Sequence, residues 1–181
     1  MTPKIALLAL VVLWLLPNAA IPEVVDSSAS GFTVKLTLSI QASPGDVYLR
    51  LVRDIGDWWN PAHTYSGSSR NLSIDEKPMG CFCEKLPNQG GVRHMEMLFV
   101  APGKNIVMSG AIGPMQSLAA TGTMSIELSK VDAGTKLDVT YAAVGYSPKG
   151  MNLFAAPSDN VLMEQFTRLK NYIERGSPAP K

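Results

Sequence analysis

The chain has 181 residues, of which 46% are hydrophobic and 17% charged. That length suits one domain with a leader or tail, and that composition excludes a disordered chain and a multi-span membrane protein. Sixteen basic residues against fifteen acidic ones leave no basic field for a phosphate backbone, so no nucleic-acid partner is expected, and two cysteines exclude a disulfide-dense scaffold.

Residues 1–20 read as a secretory signal peptide. Lys4 gives a short positive start, residues 5–16 form an unbroken apolar run of 12, and Pro17-Asn18-Ala19-Ala20 offers a break and small residues. As a helix such a run is ~18 Å long against a hydrocarbon core of ~30 Å, which disfavours a stable span. The expected location is secreted or periplasmic. An uncleaved leader that anchors the protein to a membrane is the alternative, because Asn18 suits a cleavage site poorly. Removing residues 1–20 takes Lys4 and no acid, leaving 15 residues of each sign. Residues 21–31 are expected to form a linker, residues 32–175 the domain, and residues 176–181 a flexible tail.

Within the domain, Phe32, Val34, Leu36, Leu38 and Ile40 alternate with polar residues, which predicts a half-buried strand. Ser43-Pro44-Gly45-Asp46 then supplies a cap, a first-turn proline and an acid for the helix dipole. Val47, Leu51 and Ile55 continue as the apolar stripe of a short helix. Residues 57–78 read as irregular. Strand patterns return at 81–86, 92–100, 106–112, 119–129 and 136–146, separated by turn residues such as Pro102-Gly103 and Asp132-Ala133-Gly134. Connections this short cannot hold crossover helices, so the sheet is expected to be an antiparallel meander. A last helix, capped by Ser158 or Asp159, carries Leu162, Phe166, Leu169 and Ile173 on one face and turns Glu164, Arg168 and Lys170 to water. Strands bounded by helices predict an α+β fold with the helix on one sheet face.

That order of elements resembles the START-like superfamily, also called SRPBCC or helix-grip. The similarity rests on Ser43-Pro44-Gly45-Asp46-Val47 after the opening strand, on Trp58-Trp59 after the first helix, and on Gly80-Cys81-Phe82-Cys83-Glu84 at a strand entry. Gly122-Thr123-Met124, expected at a strand start, and Gly134-Thr135-Lys136-Leu137, before the last strand, add to it. The resemblance implies a curved antiparallel sheet wrapped around a long C-terminal helix, with an interior cavity. The Trp-Trp step looks like the branch holding heat-shock-chaperone ATPase activators and polyketide cyclase/dehydratase-like proteins. An exported domain would not meet a cytosolic ATPase, so that co-chaperone role is not expected to transfer.

Three groups of residues bear chemistry. The aromatics and methionines, Trp58, Trp59, His63, Tyr65, Met97, Met108, Met115, Tyr141, Met163 and Phe166, together with Cys83, are the candidate lining of an adaptable apolar cavity. Trp58, Trp59 and Tyr65 are placed at its entrance. His94 with Glu96 or Glu84 forms a candidate acid–base pair if their strand turns them inward; simple alternation instead puts His94 and Glu96 on the solvent side. Cys81 and Cys83 lie ~6.6 Å apart in a regular strand, near the upper end of disulfide spacing, so a bridge between them needs a bulge or strain. They read as packing residues, as an oxidised pair, or with His94 as a weak metal set.

The sequence therefore favours an exported monomer that binds a small, mostly apolar molecule without a cofactor. A cyclase- or dehydratase-like enzyme using the His/Glu pair is the first alternative. An envelope metal or redox protein using Cys81 and Cys83 is the second.

Overall fold

The alternation that marks residues 32–40 has a direct structural outcome. In the computed structural model, which describes residues 21–180, strand β2 (Gly31–Ile40) buries Phe32, Val34, Leu36, Leu38 and Ile40 on one face and turns Thr33, Lys35, Thr37 and Ser39 outward. Each inward side chain contributes roughly 2 kcal/mol of transfer free energy, so the register of this strand is fixed by its burial pattern.

Helix α1 (Pro44–Arg53) starts where its capping residues require. The Ser43 hydroxyl accepts from the Asp46 backbone N–H at 3.2 Å, and Pro44 occupies the first turn. A one-turn helix α2 (Ile55–Trp58) and two short 3-10 turns lead to β3 (Leu72–Ile74). Strands β4 (Cys81–Lys85), β5 (Gly91–Ala101), β6 (Asn105–Ser109), β7 (Ala119–Val131) and β8 (Gly134–Tyr146) follow, each antiparallel to its neighbours. Helix α3 (Ala155–Arg175) ends at Gly176, whose φ of 72° closes the helix in the left-handed conformation.

With β1 (Ile21–Ser28) at one edge, the strands form one open sheet in the order β1-β2-β8-β7-β6-β5-β4-β3, so β2 and β8 are neighbours although far apart in sequence. Helix α3 lies along β2 and β1 and meets α1 and α2, and the core fills the space between helices and sheet. The architecture is α+β and helix-grip-like, as the sequence predicts.

Four expectations are corrected. Residues 21–31 were expected as a linker, but Ile21–Ser28 is an edge strand, β1, paired with β2. Leu72–Ile74 is a strand inside the stretch expected to be irregular. Gly122-Thr123-Met124 lies inside β7 rather than at its start. Helix α3 begins at Ala155, so Ser158 and Asp159 are buried in its first turns instead of capping it. The leader expected at residues 1–20 lies outside the described residues. Among the described residues, no helix is long and apolar enough to cross a membrane.

Candidate functional site

Between the sheet and α3 lies a cavity of about 620 Å³. Its walls come from α1, α2 and the loop after them, strands β3 to β7, the 3-10 turn Gly113–Ser117, and Phe154 with the inner face of α3. Most of the lining is aromatic or aliphatic. Trp58 is 1% exposed, packs 6.3 Å from Phe166 between ring centres, and donates its indole N–H to the Arg50 carbonyl at 3.1 Å. Trp59 packs edge-on to Phe82 at 5.4 Å and donates to the His63 carbonyl. Satisfying both indole N–H groups on backbone leaves the rings as apolar wall. Trp58 is thus part of the floor, whereas Tyr65 stands at the mouth, about half exposed, with its hydroxyl donating to the Gly113 carbonyl at 3.1 Å.

Two histidine–carboxylate pairs interrupt this surface. The inner one is His94–Glu84, with Nε2 to Oε2 at 3.0 Å and both residues buried. A β-bulge creates it. Phe82 faces Met95 and Cys83 faces Arg93 across the β4–β5 ladder, so His94 is the unmatched residue. An extra residue breaks the two-residue alternation of a strand. His94 and Met95 therefore both become buried and line the cavity, while Glu96 turns outward to pair with Arg93 at 2.7 Å. The His94 ring lies between Phe82, at 4.7 Å, and Tyr65, stacked at 6.0 Å.

Glu84 accepts from the Ser66 N–H at 2.5 Å and the Tyr65 N–H at 3.1 Å as well as from His94. Burial raises its carboxyl, but these donors outweigh burial and hold it below the usual range. An ionised Glu84 fixes the tautomer of its partner: Nε2 carries the proton and donates, and Nδ1 keeps the lone pair. Burial lowers the His94 pKa below its ordinary value, against the pull of Glu84, so the ring is neutral at pH 7. A neutral imidazole oriented by a carboxylate is a general base in form.

The outer pair is His63–Glu164, at 2.9 Å, joining the loop after α2 to helix α3. The Asn60 amide also donates to Glu164, and the Asn60 backbone N–H donates to Gln165 at 2.8 Å. Burial raises the Glu164 carboxyl, and the Asn60 and His63 bonds bring it below the usual range.

The cavity gathers Trp58, Trp59, His63, Tyr65, Met108, Met115 and Phe166 from the expected lining, together with His94. Four expected residues lie elsewhere. Cys83 faces the outer side of β4, because the inward positions of that strand are Phe82 and Glu84. Met97 and Tyr141 are buried in the core outside the cavity wall, Tyr141 with its hydroxyl between the Gly110 carbonyl and the Ile112 N–H. Met163 is half-buried on α3 beside the lining residues Val161 and Leu162. Glu96 is likewise no partner for His94. The set Cys81, Cys83 and His94 is not assembled as ligands either: the two sulfurs are bonded to each other, with Cα atoms 5.4 Å apart, on the face opposite the His94 ring. Sequence reasoning missed Glu164, Phe82, Met95 and Ser158, since their roles depend on the bulge and on contacts with distant segments.

No family model matches the sequence, and comparison with curated proteins finds no match. Solved structures do resemble it. A protein from Mesorhizobium loti superposes with a TM-score of 0.56 at 17% identity, over 79% of this chain and 97% of its own. An uncharacterised protein from Rhizobium leguminosarum gives 0.59 at 14%, over 87% and 99%. DynU16, a protein in the dynemicin biosynthetic locus, gives 0.57 at 15%, over 81% of this chain and 48% of its own. These likenesses concern the fold, which is compatible with the START-like arrangement.

Proposed function

We propose that this protein is an exported START-like domain that binds a small, mostly apolar molecule between its sheet and α3. The observation that carries the reading is the cavity of about 620 Å³ walled by Trp58, Trp59, Phe82, Phe166 and methionines. Cavities of that size and character suit small ligands. A guest burying about 300 Å² of apolar surface gains roughly 7 kcal/mol in transfer, before the cost of its lost freedom. His94 and His63 supply the polar contacts that orient it. The apolar run at residues 5–16 supports export. Native mass spectrometry of the protein, taken from its own secretion route, tests both parts. A reproducible organic adduct on a chain lacking residues 1–20 is the expected result. A bare mass at every stage of purification would overturn tight carriage, and an intact leader would overturn cleavage.

A second reading has its own observation. His94 faces the cavity, and Glu84 rather than Glu96 orients it at 3.0 Å. That arrangement supports a cyclase- or dehydratase-like reaction in which Nδ1 removes a proton from the guest. Glu84 then steadies the imidazolium. Saturated with three donors, it is a positioning residue. The fold shared with a protein of the dynemicin biosynthetic locus is compatible with such chemistry. Here the bound molecule would leave changed. Turnover lost in His94→Gln, with affinity retained, is the expected signature; equal turnover would sink this reading.

A further inference from the structure

Cys81 and Cys83 are separated by one residue and bonded to each other, and both are half-buried on the outer face of β4. A bond that closes so short a loop removes little freedom from the unfolded chain, since that effect grows with loop length. Its consequence is local. The two Cα atoms are 5.4 Å apart, well short of the ~6.6 Å of a regular strand. The bulge in the β4–β5 ladder falls at the same place, between Phe82 and Cys83. Strand β4 is drawn in where β5 carries its extra residue, and that residue is His94. Phe82, held between the two cysteines, points inward and touches the His94 ring.

We propose that the Cys81–Cys83 bond is a thiol-exchange site, and that its reduction lets β4 extend, removes the bulge and withdraws His94 from the cavity. The reductant is a dithiol protein or small dithiol reaching the outer face of β4. Its thiolate attacks Cys81 Sγ. The S–S bond breaks, and Cys83, whose ladder partner on β5 is Arg93, leaves as a thiolate. The second thiol of the reductant then attacks the mixed disulfide and releases Cys81. Two electrons and two protons pass to the protein, and the reductant becomes a disulfide. Reducing the outer face thereby changes the polar end of the inner cavity. The effect on ligand affinity rests on the cavity reading above; the movement of His94 does not.

The test uses the native oxidised chain, titrated with dithiothreitol, with free thiols counted and the histidine Cε1–H and residue 93–95 amide signals followed by NMR. Uncharged N-phenyl-1-naphthylamine serves as cavity probe. The expected result is release of two thiols without loss of the circular-dichroism signal, new positions for the His94 and residue 93–95 signals, and at least about a fivefold change in probe affinity, the low end of coupling between linked sites. The Cys81→Ser/Cys83→Ser variant should reproduce the reduced spectrum. A bond that resists dithiothreitol in the folded protein overturns the proposal. So does unfolding on reduction, or two released thiols with an unmoved His94. A probe that binds in neither state, with His94 still moving, counts against the cavity reading and leaves the exchange site standing.

Discussion

Glu84 is a charged residue 2% exposed, and its environment decides what its replacement costs. Glu84→Gln keeps the shape but turns one acceptor into an amide N–H facing groups that already donate. The expected loss is about 2 kcal/mol of stability, measured by urea unfolding, from leaving a buried donor unpaired. The same variant should lower the His94 pKa further, because Glu84 favours the charged ring. An NMR titration reads this, and an unchanged value would mean that the pair is not formed. His94 ordinarily titrates near 6.5 and sits lower when folded, so the unfolded chain takes the proton first. Stability is full above about pH 6.5 and declines as the pH drops below it. Glu84, Glu164 and Asp138 are also held low: burial raises each, and their hydrogen bonds more than reverse it. Their stabilisation is present above the unfolded values and is lost as the pH falls through the folded ones, adding a second, steeper decline below about 4.5. Asp159, raised by burial alone, works against that decline. A flat melting temperature from pH 7 to 4 would contradict the account.

The bulge in β5 is the element on which the site depends, and Gly110 at the end of β6 is fitted to it. Its φ is 155°, and a Cβ there would stand 2.6 Å from the His94 carbonyl oxygen and 3.1 Å from the Met95 Cα. Backbone on both sides leaves no flexible group to yield. Gly110→Ala should therefore cost about 2 kcal/mol or more and perturb the His94–Glu84 pair, read by thermal unfolding and by the histidine NMR signals. Strands with regular alternation, β2 and β8, are legible in the sequence because burial alone dictates their faces. A bulge is not, since one inserted residue leaves no mark on the local pattern. That is why His94 and Glu96 read as a pair, when the structure joins His94 to Glu84 and Glu96 to Arg93. Strand β1 escaped for a different reason: it is an edge strand, and residues 23–28 are all exposed, so they carry no buried stripe. Likewise, helix α3 starts earlier than its apolar stripe because Met151–Phe154 already forms a 3-10 turn leading into it.

At the scale of the whole molecule, the α+β class and the sheet-around-helix plan follow from element order, and the cavity follows from that plan. The identity of its lining does not, because it depends on long-range meetings. Glu164 reads as a solvent-facing helix residue, yet it meets His63 across 101 positions of sequence. Trp58 and Phe166 form one wall from segments comparably far apart in sequence. Truncating that wall by Trp58→Ala should cost about 3–5 kcal/mol and enlarge the cavity. Differential scanning calorimetry would register it as a large drop in melting temperature. The account turns most on whether the space between sheet and α3 admits a guest. Titration with N-phenyl-1-naphthylamine, comparing the native protein with Val161→Trp, tests this most directly, since Val161 faces the cavity from a half-buried position on α3. Saturable one-to-one binding by the native chain is predicted, abolished in the variant without loss of folding. Absent binding, or binding indifferent to Val161→Trp, would contradict it.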